Sequence, residues 1–182
     1  RLKPDFFLFA GHKGTMGPHG IGGLYISENV KLKIPNVNFQ IQQYNSFPTH
    51  CDVGSINLEG MDALATSMRY LQNMGFDKIN RIRDNLNSIV YQKLSEMEDL
   101  KIISKSRMNR TYSIAFSSEI APLSTIHASL AEKDCVIGKG FFCCSKAHYE
   151  LGTETEGVLR ISAGLFTKES EIDQFFTVLR DI

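Results

Sequence analysis

Lys13 is the residue of this chain whose surroundings in sequence most suggest chemistry. It follows His12 and precedes glycines at positions 14, 17, 20, 22 and 23, within FFLFAGHKGTMGPHGIGGLYI, residues 6–26. A lysine ammonium, once desolvated, loses its proton and can attack a carbonyl. Alone at a strand end, such a residue is a solvated charge. Glycine, however, serves where backbone must approach a bulky neighbour or take a positive φ, and five after one lysine exceed what a turn requires. These types and spacings point to a Schiff-base site.

The second concentration of reactive groups is Cys143-Cys144, with His148 close behind. The four cysteines, which include Cys51 and Cys135, form no disulfide framework. Adjacent residues cannot bridge comfortably, and no CxxC is present. The ligand spacing of a zinc site is missing as well, so no metal is expected. Free thiols fit a reducing compartment. Of the pair, Cys144 is read as a small packed residue, since free cysteine behaves as a small hydrophobe.

Elements to position these groups can be read from the hydrophobic period. Two short apolar runs, residues 6–9 and 22–27, flank the glycine stretch as strand, loop and strand. Residues 31–56, with Pro35 and Pro48, are irregular. Met61, Leu64, Met68, Leu71 and Met74 mark an amphipathic helix stopped by Gly75, and a longer helix runs from Phe76 through Ile82, Leu86 and Leu94 to Met97. Its charged side, with Arg81, Arg83, Asp84 and Lys93, is a solvated face.

Beyond residue 100 the period shortens. Strands are expected at 101–104, at the alternating Tyr112, Ile114 and Phe116, at 135–137 and at 158–162, with a short helix through Leu123, Ile126 and Leu130 capped by Ser124. A last helix opens after Thr167, carries Glu169 and Glu171 in its first turn, and buries Ile172, Phe175, Phe176 and Leu179. The second half is therefore a small α/β unit.

Composition removes several classes of function. Hydrophobic residues make up 42% and charged residues 22% of 182, as in an ordinary soluble globular domain. With 20 basic and 20 acidic residues the formal net charge is +0, so nothing favours nucleic acid. No apolar run approaches the roughly 20 residues of a membrane helix, and the first residues do not read as a signal peptide. No membrane partner and a cytoplasmic location follow as the default expectation. Gly138-Lys139-Gly140 lacks the upstream glycine and the Ser or Thr of a P-loop, and Asn109-Arg110-Thr111 is a formal glycosylation sequon with nothing else to support it.

FAGHKGTMGPHGIGGLYI resembles the pyridoxal-phosphate lysine segment of the class V aminotransferase family (fold type I), in particular its cysteine desulfurase-like branch. DVGSINLEGMDAL is similar to the family's Glu-x-Gly-Thr-x-Asn segment. GKGFFCCSKAHYELGT is similar to the loop of the desulfurase cysteine, and GVLRISAGLFTKESEID to the segment of the substrate-carboxylate arginine. The order is the family's and nearly the whole chain is covered.

The resemblance implies roles. Lys13 would form the Schiff base with pyridoxal 5'-phosphate, His12 would lie against the cofactor, and Ser55 would reach the phosphate of the neighbouring subunit in a homodimer. Arg160 would grip an amino-acid carboxylate through a bidentate contact. Cys143 would take sulfur from cysteine as a persulfide, leaving alanine, and a sulfur-acceptor protein would follow. Four positions depart from the family: Ala10 replaces a Ser or Thr that binds phosphate, Gly138 and Phe142 replace an Arg and a His near the cysteine, and Ser145 replaces a proline.

The implied fold is α/β, the C-terminal portion of a pyridoxal-phosphate-dependent transferase. Residues 1–75 would belong to the large cofactor domain, 76–98 to a connecting helix, and 99–182 to the small C-terminal α/β domain. Family members begin well before the lysine strand, so the front half of the site is expected to lie outside this sequence. Three readings follow: a desulfurase incomplete as this chain alone, another class V aminotransferase or lyase activity in which Cys143 is dispensable, and a silent remnant serving as an interaction module. Strands taken from a larger sheet expose unpaired edges. The isolated 182-residue chain is accordingly expected to self-associate, and a clean monomer in light scattering would contradict this.

Overall fold

The structure is a computed structural model and describes residues 3–27, 55–103 and 113–182. The irregular segment expected at 31–56 and Tyr112 fall mostly or wholly outside these residues. Two compact units divide at Phe76/Asp77.

In the first unit β1 (Phe6–Ala10) and β2 (Gly22–Ile26) form an antiparallel hairpin, with Phe6 opposite Ile26 and Ala10 opposite Gly22. Successive strand residues point to opposite faces, yet Phe6, Phe7, Leu8, Leu24 and Tyr25 are all about half exposed or more. Both faces of this hairpin are therefore open within the described residues. Helix α1 (Leu58–Met74) starts at Asn57, whose side chain accepts a hydrogen bond from Gly60 N–H at 2.9 Å. It stops at Gly75, where φ is 85° and the N–H turns back to Leu71 and Gln72. A positive φ is available to glycine without a Cβ penalty, which is why the long helical pattern breaks there.

The second unit is a four-stranded, wholly antiparallel sheet with helices on one face. After α2 (Phe76–Ser95), strands β3 (Leu100–Ile102) and β4 (Ser113–Ser118) precede α3 (Leu123–Ala131). Then come β5 (Gly138–Gly140), α4 (Ser145–Leu151), β6 (Val158–Ser162) and α5 (Glu169–Arg180). The strand order is β3-β4-β6-β5. Ile114 and Phe116 of β4 and Leu159 and Ile161 of β6 point to one face. There they meet Leu86, Val90 and Leu94 of α2, Leu123, Ile126 and Leu130 of α3, and Ile172, Phe176 and Leu179 of α5. The three helices each supply apolar residues at three- and four-residue steps, which places them on one stripe. Glu171 closes the start of α5 by accepting the Lys168 N–H at 2.7 Å.

Three expectations are corrected. Residues 135–137 are not a strand; pairing starts at Gly138, opposite Arg160. Ser124 does not cap α3, which begins after Pro122 without a side-chain cap bond. Helix α4 was unforeseen, because its seven residues are too few to show a period.

Phe176 has no exposed surface, whereas Phe166 is 63% exposed. Phe176→Ala is expected to cost about 3–5 kcal/mol of unfolding free energy. Phe166→Ala should stay within roughly 0.5 kcal/mol. Denaturant titration of the two variants checks the contrast.

Candidate functional site

Lys13 lies in the turn that joins β1 to β2. The turn is closed by its own backbone: Gly11 N–H donates to Ile21 at 2.8 Å, Gly17 N–H to Gly11 at 2.6 Å, and Met16 N–H to the Lys13 carbonyl at 2.9 Å. Thr15 Oγ1 donates back to Gly11 at 2.9 Å, and Ser67 of α1 donates to the Thr15 carbonyl at 2.5 Å. A helix and a strand end thus hold the Lys13 backbone while the Lys13 side chain is exposed.

The glycines divide by purpose. A Cβ on Gly17 would lie 2.7 Å from Leu64 Cδ1, and one on Gly22 2.6 Å from the Phe9 carbonyl oxygen. Gly20 has φ of 78°. These glycines serve the chain's own neighbours rather than a bulky ligand. Nothing lies within 4 Å of a Cβ built at Gly14 or Gly20, and of the two only Gly20 has a positive φ. His12 stacks on His19 with ring centroids 4.4 Å apart. A primary amine suits an aldehyde carbon and imidazole N–H groups suit a phosphate, so the donor set of this turn fits pyridoxal phosphate. Ala10 offers no hydroxyl to it. Ser55 is exposed in the segment leading into α1 and is hydrogen-bonded to neither Lys13 nor His12.

In the second unit Arg160 stands on the sheet face opposite the helices. Its cross-strand neighbours are Ala115 on β4 and Gly138 on β5, both small. The guanidinium carbon lies 4.0 Å from the centroid of the Phe142 ring. Its Nε is buried without a hydrogen-bond partner, and its side chain forms no ion pair among the described residues. Phe142 itself has φ of 52°. For a non-glycine residue this left-handed backbone costs on the order of 1–2 kcal/mol. Stacking on a cation offsets about 0.5–2 kcal/mol of that.

Cys143 is the next residue and its side chain is exposed. One loop therefore carries both the thiol and the ring that covers Arg160. Cys144 is exposed too, which corrects its reading as a small packed residue. Its Sγ lies 3.5 Å from the Phe141 carbonyl oxygen and 4.0 Å from His148 Nε2.

His148, which sequence reasoning considered only as a zinc ligand, holds this loop. It is 3% exposed. Its Nε2 is 3.0 Å from the Phe141 carbonyl and its Nδ1 2.7 Å from Thr153 Oγ1. A carbonyl only accepts, so Nε2 carries the proton and Nδ1 accepts from the threonine hydroxyl. Phe141 meets the imidazole edge to face at 5.3 Å. With both nitrogens engaged, His148 has no lone pair left for a metal. No group of three metal-ligating side chains converges among the described residues.

The chain matches the family described as Aminotransferase class-V over residues 1–175. It belongs to that family. A class-V relative from Pyrococcus abyssi, named "Probable cysteine desulfurase", is 26% identical across the whole of this chain and 47% of its own length. One of the same name from Borreliella burgdorferi is also 26% identical, with 46% of its length covered. The chain thus spans about half the length of the curated relatives it matches. Among solved class-V structures, the apo cysteine desulfurase of Thermococcus onnurineus superposes with a TM-score of 0.84 at 25% identity, covering 97% of this chain and 46% of that one. The cysteine desulfurase CsdA of Escherichia coli shares the fold at 22% identity, with a TM-score of 0.80 over 97% of this chain and 45% of its own. The architecture is accordingly part of the pyridoxal-phosphate-dependent fold that the resemblance implied, and family membership implies that cofactor.

Replacing His148 by Ala leaves the Thr153 hydroxyl without its imidazole partner and the Phe141 carbonyl with only the longer contacts from Cys144 N–H at 3.4 Å and Cys144 Sγ at 3.5 Å. Both groups are only part-buried, so the expected loss is about 1–3 kcal/mol for the two together. Thr153→Val should show a smaller loss in the same direction, both read from denaturant midpoints.

Proposed function

We propose that this chain is the C-terminal part of a pyridoxal-phosphate-dependent cysteine desulfurase, converting L-cysteine to L-alanine with the sulfur retained on Cys143. The observation that carries the reading is the loop of Cys143. An exposed thiol is joined through one residue, Phe142, to a guanidinium whose side chain has no anionic partner among the described residues. A substrate with a carboxylate at one end and a sulfur near the other suits that pairing. Both curated relatives described above carry the desulfurase name.

Each residue then has a defined task. Lys13 offers the amine that binds the cofactor aldehyde, in a turn whose backbone is fixed by Ile21, Gly11 and Ser67. His12 lies beside it, and Ser55 would serve the phosphate site of a second subunit in a homodimer. When bound, the cofactor supplies an electron sink for the bonds broken at Cα and Cβ of the substrate. Lys13 Nζ would serve as the base that takes the proton from Cα. Arg160 holds the carboxylate in the plane of its guanidinium, where two parallel hydrogen bonds fix orientation.

Cys143 acts as the thiolate, since the thiol is a poor nucleophile. Its sulfur forms a bond to the substrate sulfur as the Cβ–S bond breaks. The electron pair of that bond goes to carbon, which takes up a proton and leaves as alanine. A persulfide remains on Cys143, exposed for transfer to an acceptor protein in the cytoplasm, where thiols stay reduced. Other class-V chemistry keeps Lys13 and Arg160 but does not need Cys143.

The deciding experiment uses the full-length protein with pyridoxal phosphate, reduced by borohydride and mapped by peptide mass spectrometry. A single stoichiometric adduct on Lys13, lost in Lys13→Ala, is the expected result. Labelling scattered over several lysines would refute the assignment. Cys143→Ala is expected to abolish alanine formation from cysteine while leaving the Lys13 adduct intact. Unchanged alanine production would instead favour a lyase or transaminase.

A further inference from the structure

Arg160 is oriented without a hydrogen-bonding partner for its guanidinium among the described residues. Its Nε is buried and unpartnered, and the face of the group is covered by Phe142 at 4.0 Å. A carboxylate neighbour would hold such a group as well, but it would occupy the N–H donors. An aromatic face attracts the cation from above and leaves the in-plane donors unused. The room for this ring comes from Gly138, the cross-strand partner of Arg160. A Cβ at Gly138 would lie 2.8 Å from Phe142 Cε1, 2.9 Å from its Cζ and 3.5 Å from Arg160 Nε. Positions 138 and 142 therefore fit each other: the absence of a side chain at 138 admits the ring at 142.

We propose that Phe142 is a positioning residue for Arg160: it fixes the guanidinium plane for an amino-acid carboxylate and ties the Cys143 loop to that clamp. The inference rests on the reading of Arg160 as the carboxylate binder. Phe142 precedes Cys143 directly and sits at φ of 52°, so a rotation about that φ moves the ring on Arg160 and the following thiol together. Binding of the carboxylate and placement of the thiol are linked through one side chain.

The test uses the full-length protein loaded with pyridoxal phosphate, with two independent perturbations. Phe142→Leu removes the ring, and Gly138→Ala pushes it aside while leaving Phe142 in place. In both, KM for the amino-acid substrate is expected to rise about 2- to 30-fold, the range that loss of one cation–π contact produces, with a smaller change in kcat. Phe142→Tyr, which keeps an aromatic face, should restore KM. A second readout is independent of turnover: the Arg160 Nε–H resonance, assigned by its absence in Arg160→Lys, should carry a ring-current shift that both perturbations abolish. If Arg160→Lys raises KM while Phe142→Leu and Gly138→Ala leave KM unaltered, the inference is overturned and the carboxylate role of Arg160 stands. If Arg160→Lys itself leaves KM unchanged, that role fails and the inference falls with it.

Discussion

The alternation along β6 is the constraint on which the second unit depends. Leu159 and Ile161 must face the helices to close the core, and the pleat then sends Arg160 to the other face. Shifting the strand by one residue would bury a guanidinium among Leu, Ile and Phe side chains, at a cost no pairing there could offset. Core packing and the placement of the candidate clamp are thus one choice of register. Gly138 completes it, because a side chain there would occupy the space that Arg160 and Phe142 share.

Around that strand the loop from Gly138 to Thr153 is held by contacts of unlike strength. His148 is deeply buried and ties the Phe141 carbonyl to the Thr153 hydroxyl, so the two ends of α4 are anchored to each other. Phe142, between this anchor and Cys143, is held by a cation–π contact against an unfavourable φ. The thiols at 143 and 144 remain exposed. The thiols are thus carried at the end of a well-anchored segment whose last link is comparatively weak.

The first unit solves a different problem. A turn carrying an exposed lysine must keep its backbone fixed without burying the amine. Hydrogen bonds among Gly11, Thr15, Gly17 and Ile21, and one from Ser67 of α1, do this with main-chain groups. Close approach of Gly17 to Leu64 sets the turn against the helix. Lys13 and His12 are left to present their side chains outward.

Periodic features were legible in the sequence because they follow from local geometry. The helices that bury Leu64, Leu86, Leu94, Phe176 and Leu179, the strand at 158–162 and the break at Gly75 could be read from spacing and from the freedom of glycine. Lys13 stood out by its glycines, while the roles of His12, Ser55, Cys143 and Arg160 came only through the family resemblance. What tertiary structure decided was what each residue meets. Most of the glycines after Lys13 turned out to make room for the chain itself, and Cys144 proved exposed rather than packed. His148 became an anchor because Thr153 and the Phe141 carbonyl converge on it. Phe142 gained its place from the register of β5 against β6, which sets Gly138 opposite Arg160. Spacing along a chain fixes which way a side chain points relative to its own element, and only the packing of elements fixes the partner it finds there.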